Sequence, residues 1–260
     1  GGGVGGMEAA LVSALRGHDV TVIEKSGRLG GRLYNAGVHF FKISIRQLAE
    51  WFEAEISKRG IEVMLNTEAT TEMLRKMGAD AVIFCTGAEP LMPKSIPGIS
   101  NPKSASCIEV LEGKREPGDN IVIVGAGLVG AEMAYDYARE GKKVYLVDAL
   151  NDILANDPNG VPFQTRMMLN NLLDYHGVVK FLGYNLKSIG EEGAVVTDSY
   201  GHDTVIDADD VIIAIGFRKR ASMLNELDGS GIETYEIAAG NAIGSIATQI
   251  SDAYEIARSL

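Results

Sequence analysis

The sequence predicts an α/β chain built on two Rossmann-like dinucleotide-binding units, and three observations predict it. An apolar strand over 121–124 runs straight into Gly125, Gly127 and Gly130, with helix-forming residues behind them. Residues 142–148 then supply a second strand that ends in an acid, Asp148, 23 residues after Gly125. The same unit occurs once before: Gly1, Gly3 and Gly6 repeat the spacing, and a strand over 19–24 ends in Glu24, again 23 residues after the first glycine. Each element has a physical reason. The first glycine allows a tight turn, the second leaves room for backbone to approach a pyrophosphate, and the third lets the helix pack on the strand. The helix start, here Leu128 and Val129, offers free N–H groups and a positive dipole end to the phosphates. Asp148 stands where a carboxylate can bond both ribose hydroxyls. It would repel a 2′-phosphate that neither Ala149 nor Leu150 could neutralise, so NAD(H) is expected over NADP(H). Two such sites in one chain suggest two dinucleotides.

The 260 residues, 46% of hydrophobic type, suffice for one large or two ordinary domains. A net charge of −11 with no basic block argues against nucleic acid and anionic lipid. No apolar run approaches the roughly 18 residues of a membrane helix. No signal peptide is visible, although the chain begins at Gly1 and not at Met. Cys85 and Cys107 are too far apart for a Cys-x-x-Cys motif, so neither a disulfide framework nor a cluster is expected from them. A reducing, cytoplasmic setting fits.

Along the chain, a glycine-rich tail is the alternative reading of residues 1–6, and Glu24 at the expected spacing opposes it. The apolar strand that should precede Gly1 is absent, which predicts a weakened first site or a need for a partner segment. Gly17 is placed to stop the first helix. Gly30 and Gly31 permit close backbone approach beside the cationic Arg28 and Arg32, with an ordinary surface turn as the alternative. Residues 43–59 form an amphipathic helix with Ile45, Leu48, Ala49, Phe52 and Ile56 on one face. A short strand over 61–65 follows, then a strand over 81–85 that runs into Thr86 and Gly87; Cys85 reads as core, with no base in sight. Residues 89–103 hold four of the seven prolines and read as a crossover between domains.

In the second unit, Leu169, Leu172, Leu173 and His176 share a helix face, with His176 as a boundary residue. Short strands over 178–182, 185–189, 194–197 and 204–206 suggest a small antiparallel meander. The strand over 210–214 runs on to Gly216 and mirrors 80–87. Ser245 is a suitable N-cap for a closing helix whose buried face would be Ile246, Ile250, Tyr254 and Ala257. The remaining histidines have no partners at metal-ligand spacing, and no metal is expected.

Together these stretches resemble the pyridine nucleotide–disulfide oxidoreductase superfamily. Within it they look most like the C-terminal half of the 2,4-dienoyl-CoA reductase and enoate reductase family, the old yellow enzyme-like NADH:flavin oxidoreductases. The resemblance rests on residues 3–10, 22–25, 30–31, 79–83, 86–87, 96–98, 125–132 and 141–144, with Gly216 and the closing helix after Gly240. It implies two Rossmann-like domains of the three-layer ββα type, the NAD domain (105–217) inserted in the FAD domain (1–104 and 218–260). It implies FAD at Gly1, Gly3, Gly6 and Glu24, with Gly31 and Arg32 near the flavin end. Thr86 and Gly87 would lie near the chain crossing, Gly240 and Asn241 at the ribityl or pyrophosphate region, and Thr248 at the flavin pyrimidine edge. NADH would lie at Gly125, Gly127, Leu128, Val129, Gly130, Asp148 and Gly216. FMN and an iron–sulfur cluster are expected only on a missing N-terminal barrel, which would pass electrons to an activated C=C bond. The chain departs from the family at Val4-Gly5, where Pro-Ala is usual, and at Asn241, where Asp is usual. No residue is expected to do acid–base catalysis, because the cofactors supply the reactivity. The rival readings are an ADP-type structural domain without turnover and a free-standing NADH oxidase.

Overall fold

The computed structural model describes residues 1–155, 160–237 and 244–260. The chain starts with α1 (Val4–Leu15), β1 (Thr21–Ile23), α2 (Leu33–Ala36), α3 (Ile43–Lys58), β2 (Glu62–Met64), α4 (Thr71–Met77), β3 (Ala81–Phe84) and β4 (Ala88–Pro90). It continues with β5 (Ser104–Ser106), α5 (Cys107–Leu111), β6 (Asn120–Val124), α6 (Leu128–Arg139), β7 (Lys143–Asp148) and α7 (Phe163–Tyr175). Then come β8 (Val179–Leu182), β9 (Asn185–Ile189), β10 (Gly193–Thr197), β11 (Asp203–Asp207) and β12 (Asp210–Ile213). The chain closes with β13 (Phe217–Lys219), β14 (Glu233–Glu236) and α8 (Ile246–Ser259). It divides into two units, Gly1–Glu89 with Arg218–Leu260, and Pro90–Phe217.

The second unit is built in three layers around a parallel sheet ordered β5-β12-β6-β7-β8. Successive side chains of a strand point to opposite faces, and both faces of β6 are apolar. Ile121 and Ile123 pack with Met133, Leu169 and Leu173 of α6 and α7. Val122 and Val124 pack with Ile189, Ala194 and Ile206 of the antiparallel sheet β11-β10-β9. β8 is the point of difference from the sequence reading. It pairs parallel with β7, from Tyr145–Val179 to Asp148–Leu182, and so belongs to the parallel sheet and not to the meander. The first break falls after Glu89, where 104 was expected. The intervening segment packs with the second unit: the Ile189 N–H donates to the Pro97 carbonyl (2.9 Å) and the Val211 N–H to the Lys103 carbonyl (2.8 Å).

In the first unit β1 pairs parallel with β2, and β14 pairs parallel with β3. β1 corresponds to β7 as the strand that ends in an acid, and β3 to β12 as the strand that runs on toward a glycine. In the second unit β6 lies between those two strands; in the first, no strand joins the two pairs among the described residues. α1 is rich in small residues, and a Cβ at Gly5 would lie 3.0 Å from the Ile237 side chain. Ala9, Ala253 and Ala257 form one buried cluster where α1 meets α8. The buried face of α8 differs from the expected one: Ala253 is fully buried and Tyr254 is 48% exposed. Ile246, Ile250, Ala253 and Ala257 centre the buried stripe, and Tyr254, also at helical spacing, falls at its edge. α3 buries Ala49, Phe52 and Ile56 as its periodicity predicts, and Gly17 (φ +95°) follows the end of α1.

Ile123 is fully buried between strands of the second unit. Ile123→Ala is expected to destabilise that unit by about 2–5 kcal/mol, read as faster native-state amide exchange across β6, β7 and β12, with the first unit's amides unaffected.

Candidate nucleotide sites

Each unit holds one glycine loop, and the two have the same geometry. At Gly125 (φ +109°) a Cβ would sit 2.4 Å from the Ala214 carbonyl oxygen, and at Gly130 it would sit 1.9 Å from the Gly125 carbonyl oxygen. At Gly1 it would lie 2.3 Å from the Cys85 carbonyl oxygen, and at Gly6 1.8 Å from that of Gly1. The outer glycines are therefore demanded by the protein's own backbone. The middle ones are not: Gly3 and Gly127 would meet nothing within 4 Å. In both loops a residue that packing leaves free to be larger is nonetheless glycine, so the loop face beside it is open.

The helices behind the loops agree. Gly3 (φ −73°, ψ −176°) and Gly127 (φ −68°, ψ 180°) are the N-caps of α1 and α6, with no side-chain cap and no acid in the first turn. α4, α5 and α8 are capped by Thr70, Ser106 and Ser245, while α2, α3 and α7 share the uncapped start. Uncapped N-termini leave donors and a positive dipole end facing the loop. Leu128 and Val129, half-buried, open α6 at that point.

The two acids do more than the sequence indicates. Glu24 Oε2 accepts the N–H of Gly2 (2.6 Å) and Oε1 that of Ser26 (2.7 Å). Asp148 Oδ2 accepts the N–H of Ala126 (2.6 Å) and Oδ1 that of Leu150 (2.8 Å). Each carboxylate thus bridges its own chain to the loop residue between the first and middle glycines. Burial pushes the Glu24 carboxyl up, but the Ser26 and Gly2 N–H groups outweigh it and hold it below the usual carboxylate range. Sequence reasoning picked out Gly30 for close backbone approach but missed the loop contacts and Leu154; the Gly30 and Leu154 N–H groups donate to the Gly2 and Ala126 carbonyls (both 2.9 Å). No residue type marks the two positions, one Gly and the other Leu, although both lie six residues after the acid.

Gly31 (φ +48°) lies on the first loop, where its Cβ would be 3.0 Å from Gly3 Cα. Arg32 reaches Asn35 Oδ1 (3.3 Å) and the Ala88 carbonyl (3.5 Å). The Thr86 hydroxyl donates to the Arg220 carbonyl (3.3 Å) and the Gly87 carbonyl accepts the Arg220 N–H (3.0 Å). Both follow Cys85, whose carbonyl abuts Gly1. Gly216 (φ +107°) holds the corresponding place after Ala214, beside Gly125. Thr248 lies in the first turn of α8, its N–H bonded to the Ser245 hydroxyl (3.2 Å). Gly240 and Asn241 lie outside the described residues. Burial pushes the Cys85 thiol up to about 11. Among the described residues no three His, Cys, Asp or Glu side chains gather as a metal site, and no helix is long and apolar enough to cross a membrane.

Comparison with known proteins places this geometry. The family profile described as pyridine nucleotide-disulphide oxidoreductase matches residues 1–243. A cinnamate reductase of Clostridium sporogenes is 36% identical over all of this chain and 38% of its own length. An NADH oxidase of Thermoanaerobacter brockii is 32% identical over 99% of this chain and 40% of its own. The solved structure of a 2-naphthoyl-CoA reductase, 27% identical, superposes on the whole chain with a TM-score of 0.90, the chain covering 39% of it. The chain therefore spans about two fifths of the length of these relatives.

The glycine geometry separates two kinds of substitution. Gly127→Ala is expected to leave the thermal midpoint near that of wild type while weakening NADH binding at least about tenfold, or about 1.4 kcal/mol. Gly130→Ala is expected to lower both, because the helix must move off the Gly125 carbonyl. Differential scanning fluorimetry beside a fluorescence titration with NADH checks the pair.

Proposed function

The chain belongs to the pyridine nucleotide-disulphide oxidoreductase family, and on that premise we propose that it is the NADH:FAD reductase module of a larger enzyme. Its cofactors are FAD and NADH. FAD is assigned to the first unit and NADH to the second. The observation that carries the reading is the pair of loops in which the middle glycine alone faces open space.

In the first unit the Gly1, Gly3 and Gly6 loop and the start of α1 would hold the FAD pyrophosphate, and Glu24 the adenosine ribose. Gly31 and Arg32 would lie near its flavin end, Thr86 and Gly87 near the chain crossing, and Thr248 at the flavin pyrimidine edge. In the second, Gly125, Gly127, Leu128, Val129, Gly130 and Gly216 would hold NADH, with Asp148 at the ribose. When bound, FAD supplies the redox chemistry, taking a hydride from the nicotinamide. The protein's residues bind and orient. The uncapped starts of α1 and α6 neutralise phosphate charge, and the carboxylates keep unused lone pairs that can accept ribose hydroxyls. No side chain is required to move a proton, which agrees with a protonated Cys85 and no redox cysteine pair.

In the whole protein, electrons would pass on through an iron–sulfur cluster and FMN on an N-terminal barrel to an activated C=C bond. The relative named cinnamate reductase supports that class of acceptor, and the one named NADH oxidase supports oxygen as an alternative. A reducing compartment such as the cytoplasm suits a chain whose two cysteines are free.

The test is anaerobic. The chain incubated with FAD and freed of excess should show a flavin spectrum that bleaches on addition of NADH, and more slowly with NADPH. A chain that stays colourless, or a bound flavin that NADH leaves unchanged, would sink the reductase reading. Asp148→Ala should narrow the NADH over NADPH advantage; an unchanged ratio would remove Asp148 from ribose selection.

A further inference from the structure

Beyond the glycines, the segment that follows each acid makes the same contacts in both units. The residue between the first and middle glycines, Gly2 or Ala126, is held from both sides. Its N–H goes to the acid, at 2.6 Å in each case. Its carbonyl accepts the N–H of the residue six positions after the acid, Gly30 or Leu154, at 2.9 Å in each case. The acid's other oxygen accepts the N–H two positions on, Ser26 or Leu150. The residue five positions on is a buried aliphatic, Leu29 (8% exposed) or Ile153 (0%). The backbone six positions on is left-handed in both, +94° at Gly30 and +55° at Leu154.

Leu154 makes this more than a repeat of sequence. A non-glycine residue in the left-handed region costs roughly 1–2 kcal/mol, and it persists only where its surroundings over-determine it. Leu154 is 2% exposed, donates to Ala126, and its carbonyl accepts from Arg166 Nη2 (2.6 Å). Two unlike residues are thus bent to one conformation at one offset from the acid. What they share is the carbonyl they hold.

We propose that residues 24–31 and 148–155 are straps that preset the nucleotide loops, and that Glu24 and Asp148 act as positioning residues for the loop in addition to reading ribose. The clamp uses up the N–H of Gly2 or Ala126 and fixes the peptide plane on either side of it. That turns the following N–H groups, at the start of α1 or α6, toward the phosphates. The loop is then shaped before any nucleotide arrives, and the acid contributes to binding of nucleotides that have no ribose hydroxyls at all. This rests on reading the second unit as a nucleotide site.

The experiment compares wild type with Asp148→Ala and Asp148→Asn. It uses two readouts: amide hydrogen exchange without ligand, and calorimetric titration with NADH and with 2′,3′-dideoxyadenosine diphosphate. In Asp148→Ala, exchange at Ala126 and Leu150 should rise at least about tenfold while the β6 core amides keep their protection. Affinity for the dideoxy nucleotide should also fall at least about tenfold, though by less than that for NADH, which loses its ribose contact as well. Asp148→Asn, which keeps one acceptor oxygen, should fall between. Unchanged Ala126 exchange, or dideoxy binding that survives while NADH binding is lost, would overturn the strap and leave the acid as a ribose reader. Wild type that binds neither nucleotide would remove the nucleotide-site reading instead, and the ligand-free exchange would still decide the strap.

Discussion

A helix can start directly above the end of the strand it follows only if no side chain lies between them. That constraint is met where Gly130 closes on the Gly125 carbonyl, and Gly6 closes on the Gly1 carbonyl in the same way. Much else follows from it. Because the helix starts so near the strand end, its first N–H groups converge on the loop. Because the third and first glycines touch, the middle glycine is pushed outward and borders open space. Because the loop is short and bare, it needs support from elsewhere, and the acid at the end of the neighbouring strand supplies it through a backbone N–H. Catalytic groups of the usual kind are not part of this architecture. The protein offers shape and partial charge, and the redox chemistry belongs to the cofactors.

The sheet beneath the second loop gives it a rigid base. β6 is buried on both faces, with helices on one side and the antiparallel sheet on the other, so the strand end that carries Gly125 is fixed from every direction. β12 and β7 pair on either side of it, and the Gly125 N–H donates to the Val147 carbonyl (2.7 Å). The first loop has a different base. Gly1 rests against the Cys85 carbonyl and Gly31 against Gly3, while β1 and β3 each pair with only one neighbour.

Much of this was legible in the sequence. Glycine spacing and the acid 23 residues on require no three-dimensional information, because only glycine fits the close contacts and the strand-helix-strand length is nearly constant. α3 and the Ser245 cap were legible for similar local reasons. Other features were hidden by chemistry that one dimension does not carry. Which way a carboxylate turns is not encoded in its position, so the bonds from Asp148 to Ala126 and from Glu24 to Gly2 were invisible. Gly30 and Leu154 share a backbone conformation but no residue type. β8 carries the same short apolar pattern whether it joins a parallel edge or a meander, and its partner β7 decides. Tyr254 stands at helical spacing from Ile246 and Ile250, yet close packing of α8 on α1 selects the small Ala253.

The most direct measurement is a count of dinucleotides per chain. Purified protein titrated with FAD, and then with NAD⁺ in the presence of bound FAD, should take up one equivalent of each, with neither displacing the other. That stoichiometry would match two preset loops of the same geometry and different partners. A single equivalent in total, for which FAD and NAD⁺ compete, would contradict the two-site arrangement from which the proposed function follows.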